Sequence, residues 1–301
     1  PAKRGGQHPG GRAWDRGPMS ALRAVGRFIV PPLIVGGLFV GTWELIVRIF
    51  DIKPFLLPAP SAIRTALVDN VDKVWDAMLV TGANALVGLL FGVMCGVALS
   101  FVLMRFNVLN ELVTPLAVAL NAIPIIVLVP VFNNMFSSTT EVPRRLMVTL
   151  VVSFIVLVNV AKGLRQVSPI HMELMHSYAA SKSEILRKTR IPNALSYLFT
   201  ALKIAAPVAV ITAFVAEYFG GSQNGLGYGI TSNAAVSRTA ASWAYVVGAC
   251  TLGLAFYAAA VLLERFASPS HRPASSPSAT RTSRSQPQQH TGGLAPGGAM
   301  T

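Results

Sequence analysis

The chain has 301 residues, of which 52% are hydrophobic and only 12% charged, and its net charge is +13. A water-soluble domain carries about 25% charged residues, so this composition excludes an ordinary soluble fold. The cations sit in tails and loops between apolar runs, so they are read as membrane topology, and no nucleic-acid partner is expected. The two cysteines, Cys95 and Cys250, are too few for a disulfide framework or a four-ligand metal site; both are expected to be packing residues.

Residues 1–20, rich in Gly, Arg and Pro, are expected to form a disordered basic tail. Met19 is an alternative start. The first apolar run, 28–49, is too long for the apolar part of a signal peptide and is expected to remain as a membrane span. Glu44 stands four residues before Arg48, which predicts an ion pair that anchors the end of this span. The second run, 78–104, carries Gly88, Gly92 and Gly96 at four-residue spacing, a stripe that lets helix backbones approach closely. Further runs cover 111–133, 146–164, 194–219 and 241–263. Each is about as long as the roughly 20 apolar residues a helix needs to cross a bilayer. None alternates with a period of two, so helices are expected and not a barrel. Residues 268–301, rich in Ser, Pro, Gln and Thr, read as a disordered C-terminal tail.

Six spans put both termini on one side. With that side cytoplasmic, most of the 25 Lys and Arg residues fall inside, and the 162–190 loop is the most basic one. The pair Arg144–Arg145 is the exception, placed outside. The chain is therefore expected in the plasma (inner) membrane, multi-pass, with cytoplasmic ends.

The loop at 165–192 has its own local logic. Ser168 is a suitable N-cap with Pro169 at the first helical position. Ser181 followed by Glu184 is a capping box. Pro192 disfavours helix at Ile191 and is expected to start a new element. Two short helices with a bend near Ala179–Ser181 are predicted.

This segment resembles the EAA loop of ABC-importer permeases. Glu173 stands at the family's Glu, Tyr178 precedes the family's glycine position, and Ile191-Pro192 forms the close. Leu174 and Met175 replace two alanines, Thr189 replaces the first closing apolar residue, and Ala179 replaces the glycine. The bend is therefore expected to form without a left-handed residue, or through Ser181 capping alone. In the same order, Trp43-Glu44-Leu45, Pro54 to Ser61, Asn121-Ala-Ile-Pro124, Ala216-Glu217-Tyr218 and Gly225-Leu-Gly227 look like the nitrate/sulfonate/taurine branch of these permeases, over about residues 28–265.

The resemblance implies an all-α, polytopic transmembrane bundle of the type I importer (MetI-like) kind, spanning 21–267. It implies a second permease copy, expected to be identical, a cytoplasmic ABC ATPase and an extracytoplasmic solute-binding protein. Glu173, Tyr178, Ala179, Ala180, Ser181, Glu184, Ile191 and Pro192 are then the candidate ATPase-coupling residues. The resemblance also implies that the chain itself hydrolyses nothing, so neither an enzyme nor a cofactor is expected; the lack of a G-x-x-x-x-G-K-[ST] phosphate loop in the sequence is consistent with that. Candidates for the translocation path are Asn84, Asn121, the helix-interior prolines Pro124, Pro130 and Pro207, and Glu217. Glu217 is either functional or a cap for the next loop. His171 and His176, five apart with no third ligand nearby, do not make a metal site. An ATPase-independent carrier or channel would call for paired half-repeats, which are not evident, and a membrane-integral enzyme would need a cluster of acids at one depth. Lys203 to Pro207 and Gln223-Asn224 look more like the permeases for thiamine-pyrimidine or riboflavin-type precursors than those for nitrate or taurine.

Overall fold

The computed structural model describes residues 18–106, 127–137, 139–220 and 223–267, with side chains from residue 30 onward. Both tails and most of the expected 111–133 span lie outside the described residues, and so do Asn121 and Pro124. The described elements are all helical. In chain order they are α1 (Pro18–Ile49), α2 (Pro60–Asp69), α3 (Val71–Arg105), α4 (Leu128–Phe136) and α5 (Val142–Arg165). Then come α6 (Pro169–Ser177), α7 (Lys182–Ile185), a π-helical turn (Leu186–Arg190), α8 (Ile191–Tyr218), α9 (Gly225–Ala235) and α10 (Thr239–Ala267).

Among the described residues, five helices are long and apolar enough to span a membrane: Val30–Ile49, Val71–Arg105, Val142–Arg165, Lys182–Tyr218 and Thr239–Ala267. At 1.5 Å per residue, α3 is about 50 Å long, well beyond a hydrocarbon core of about 30 Å. Pro130 falls in the first turn of α4. Its missing N–H removes no bond of that described helix, so it is not a kink site there.

The centre of the bundle is the packing of α3, α5 and α8, with α10 against α8 and α9 wedged beside α3, α8 and α10. Its buried residues are mostly small or β-branched: Ala85, Val148, Val152, Val156, Ala201 and Ala205. Larger apolar side chains such as Leu90, Phe91, Met94, Leu254 and Phe266 point outward. A bilayer explains this inversion. Lipid tails solvate Leu and Phe as well as a core does, so helix contact is gained by close backbone approach. Cys95 and Cys250 also lie on the outer surface, so they are not packed inside the bundle as expected.

The glycine stripe of α3 lies directly on α5. A β-carbon placed on Gly92 would fall 2.6 Å from Val152 Cβ, and one on Gly96 would fall 2.7 Å from the Ser153 carbonyl. Gly88 meets Val148 in the same way. At the other end of the first span, Arg48 Nη2 lies 2.6 Å from Glu44 Oε1, as expected. Glu44 also accepts from Ser61 N and Oγ at 3.0 and 2.8 Å, and this ties α1 to the start of α2. The ring of Trp43 packs edge-on against Trp243 at 5.2 Å, which joins α1 to α10.

Gly92→Val tests the α3–α5 contact. Overpacking at a backbone contact costs about 1–3 kcal/mol. The variant is expected to unfold at lower temperature in detergent, with α3 and α5 splayed. Unfolding indistinguishable from the parent would show that the contact is loose.

Candidate functional site

Two places in the bundle gather polar groups. The first lies where α8 ends and α9 begins. The N-terminal N–H groups of a helix need acceptors, and here water is excluded. Thr81 on α3 and Glu217 on α8 supply them. Leu226 N donates to Thr81 Oγ1 at 2.9 Å, Gly227 N donates to Glu217 Oε2 at 3.2 Å, and Thr81 Oγ1 donates to the same Oε2 at 2.7 Å. A carboxyl group at this end also complements the helix dipole. Glu217 thus caps the next helix, one of its two expected roles. Gly225, with φ of +87°, lies over the Glu217 carboxyl, where a β-carbon would collide with it.

Arg144 of α5 extends this cluster. Its side chain is 1% exposed and Glu217 is 3% exposed. Arg144 Nη1 donates to Glu141 Oε2 at 2.6 Å and Asn224 Oδ1 at 2.9 Å, and lies 4.0 Å from Glu217 Oε1. Asn224 Nδ2 donates to Glu141 Oε1 at 3.1 Å, and Asn84 Nδ2 donates to Glu141 Oε2 at 2.7 Å. Arg145 Nε donates to Asn84 Oδ1 at 3.0 Å. The pair Arg144–Arg145 is therefore not a basic stretch of an outside loop. Arg144 is buried with two carboxyl groups around it, which answers the desolvation cost of its charge. Sequence reasoning found Asn84 and Glu217 but missed Thr81, Glu141, Arg144 and Asn224. The available signal was Glu141 three residues before Arg144 at the start of an apolar helix. Pro207 lies half-buried within α8, nearer its middle, and takes no part in the cluster.

The second place is the α5–α8 loop at the opposite end of the bundle. Ser168 stands at the N-cap of α6 with Pro169 behind it, as expected, although its hydroxyl makes no capping bond. The capping box is complete: Ser181 N donates to Glu184 Oε2 at 2.9 Å, and Glu184 N donates to Ser181 Oγ at 3.3 Å. Two expectations are corrected. Ala179 itself adopts the left-handed conformation, with φ of +50°. Ala179 N bonds to His176 O at 2.9 Å and Ala180 N to Met175 O at 3.0 Å, the paired closure that normally selects glycine. The bend thus uses the left-handed residue thought dispensable. Pro192 does not start a separate element either. Ile191 is helical, and the π-helical turn Leu186–Arg190 carries the chain into α8. The widened turn absorbs the irregularity that proline imposes on the preceding turn. The second short helix is therefore the tip of one long rod, Lys182–Tyr218.

This loop is fastened to the spans. Asn193 Nδ2 donates to Gly163 O at 2.6 Å and Gln166 O at 3.1 Å, closing the end of α5, and Arg165 Nη2 donates to Leu103 O at 3.0 Å near the end of α3. Away from the bundle, α6 presents Ile170, Leu174 and Tyr178, which are 73%, 51% and 75% exposed. Four-residue spacing places them on one face. The Glu173 side chain makes no hydrogen bond or ion pair among the described residues. Among those residues no group of three His, Cys, Asp or Glu converges as a metal site.

Comparison with known proteins gives a consistent picture. Residues 88–268 match the family model described as binding-protein-dependent transport system inner membrane component. A Haemophilus influenzae chain named "Probable ABC transporter permease protein" is 28% identical over 200 residues, covering 66% of this chain and 81% of that one. The formylaminopyrimidine transport permease protein ThiX of Halalkalibacterium halodurans is 31% identical over 188 residues, covering 62% and 74% respectively. A chain of the MetNI methionine ABC transporter, solved in inward-facing conformations, superposes with a TM-score of 0.51 at 19% identity, covering 65% of this chain and 94% of that one. That similarity establishes the fold.

Two substitutions test the geometry. Glu217→Ala removes the acceptor of two buried donors and is expected to cost about 3 kcal/mol, with Glu217→Gln losing less because its amide oxygen still accepts. Ala179→Gly removes left-handed strain and is expected to stabilise by up to about 1 kcal/mol. Thermal unfolding of the purified variants reads both. An unchanged Glu217→Ala, or a destabilised Ala179→Gly, would contradict these assignments.

Proposed function

The chain belongs to the family of binding-protein-dependent transport system inner membrane components, and from that premise we propose how it works. It is the membrane permease subunit of an ABC importer. In the proposed arrangement two copies enclose the solute path, each bound to a cytoplasmic ABC ATPase, and an extracytoplasmic binding protein delivers the solute. Both termini are cytoplasmic.

The observation that carries the mechanism is the exposed face Ile170, Leu174 and Tyr178 on a loop otherwise fastened to α3, α5 and α8. An apolar helix face of this kind suits insertion into a groove on a partner. The fastening means that a displacement of α6 is passed on. The Ala179 bend fixes the angle between α6 and the Lys182–Tyr218 rod, so movement of the ATPase would tilt that rod. At its far end the rod carries Glu217, where α3, α5 and α9 meet. Closure of the ATPase dimer would thus alter the junction that Asn84 and Glu217 help to form, and Pro207 would supply local give within α8. Asn121 and Pro124 remain proposed path residues.

The proposed solute is a small heteroaromatic precursor of the aminopyrimidine kind, within the nitrate/sulfonate/taurine-type branch. The relative that transports formylaminopyrimidine by name supports this, as do the segments at 203–207 and 223–224. In vesicles containing the whole transporter and its binding protein, formylaminopyrimidine uptake is expected to require ATP. Uptake of taurine or nitrate in its place would move the assignment to another arm of the branch.

Coupling has a direct test. Glu173→Ala is expected to weaken ATPase binding or separate hydrolysis from uptake, with membrane insertion intact. Ala179→Asp is expected to be worse, because it adds a negative charge at the C-terminal end of α6, against the helix dipole and on the surface proposed to meet the ATPase. Uptake and ATPase copurification at matched expression measure both. Parental transport by both variants would remove this loop from the coupling role.

A further inference from the structure

Between the end of α3 and the α6–α7 loop lies a cavity of about 510 Å3. Arg105, His176, Lys182, Ser183 and Arg190 form its polar wall, and among the described residues no carboxylate lines it. Glu184 is close in sequence but its oxygens are engaged. Oε2 accepts from Ser181, and Oε1 lies 3.4 Å from Lys188 Nζ. Arg105, Lys182 and Arg190 have no acidic partner among the described residues; the ion pairs there use Arg48, Lys53, Arg144, Lys188 and Lys203. The remaining wall is apolar, made by Met104, Met172, Ile185 and Leu186.

The cavity is separate from the exposed docking face. Met172 and His176 line it, while Ile170, Leu174 and Tyr178 face away. At about 100° per residue, the two rows lie roughly 180° apart around α6. Arg105 closes the apolar run 78–104, so the cavity opens at the level where hydrocarbon gives way to headgroups.

We propose that this cavity binds the phosphate headgroup of an anionic phospholipid of the phosphatidylglycerol kind. Arg and Lys side chains both pair with phosphate oxygens through their charge, and basic pockets beside membrane helices take such headgroups. The mixed wall selects the source of the phosphate. A free, fully charged phosphate would lose hydration against Met104 and Ile185, whereas a phospholipid sets its own apolar part there. The bound lipid joins the end of α3 to the start of the Lys182–Tyr218 rod, and so acts on the position of the loop. This site goes beyond the transport reading and needs only that the chain is membrane-embedded.

The test uses the permease purified with its ATPase, after passage through vesicles of equal parts phosphatidylcholine and phosphatidylglycerol. Mass spectrometry measures the phosphatidylglycerol retained per permease. The triple variant Arg105→Gln, Lys182→Gln, Arg190→Gln is expected to retain about tenfold less than the parent. The charge-keeping variant Arg105→Lys, Arg190→Lys and the distant control Arg64→Gln are expected to retain the parental amount. Excess inorganic phosphate is expected to leave the lipid bound. Parental retention by the triple variant, loss from the charge-keeping variant, or displacement by inorganic phosphate would each overturn the proposal.

Discussion

The start of α9 imposes the constraint around which this bundle is arranged. Two backbone N–H groups, of Leu226 and Gly227, point into a region closed to water. An unsatisfied buried donor costs about 1–3 kcal/mol, so acceptors must be brought to them. Thr81 and Glu217 do this from two different helices, and α3, α8 and α9 are therefore fixed to one another at a single point. The carboxyl group brought in for this purpose carries its own desolvation cost, which Arg144 of α5 helps to offset at 4.0 Å. Arg144 in turn brings Glu141 and Asn224, and Asn84 and Arg145 complete the set. One backbone requirement thus accounts for a buried network across four helices.

The opposite end solves the same problem differently. Helix ends near the loop are closed by single side chains, with Asn193 on the carbonyls of α5 and Arg165 on that of Leu103. These bonds lie at the border of the bilayer and bury no charge completely. The result is asymmetric. One end is knotted by buried ions, and the other is a set of capped helix ends with a left-handed residue, Ala179, at the bend between α6 and α7.

Between the two ends, packing rests on small residues. The contact of Gly88, Gly92 and Gly96 with Val148, Val152 and Val156 lets α3 and α5 run close together over several turns. The ion pair of Lys203 Nζ with Glu264 Oε2 at 2.9 Å holds α10 to α8. The large apolar side chains turned outward leave the exterior suited to lipid or to a second copy, and α1 is the extreme case, with 6% of its span buried inside this chain.

The sequence by itself determined the five spans that the structure describes, because apolar run length is set by the thickness of the bilayer, a one-dimensional quantity. It determined the glycine stripe, the Glu44–Arg48 pair and the Ser181–Glu184 capping box for the same reason: each depends on residues three or four positions apart. It also determined the family, through the loop around Glu173 and its order among the other segments. Only the tertiary structure decided what lies between distant segments. Thr81 and Leu226 are 145 positions apart, and Arg144 and Asn224 are 80 apart, so no local pattern joins them, and a buried Arg144 reads in one dimension like a loop cation. The tertiary structure likewise decided the backbone of Ala179 and the passage through Pro192. Propensity argues against a left-handed alanine by about 1–2 kcal/mol. The paired closure at the end of α6, made where two helices must change direction, outweighs that local preference.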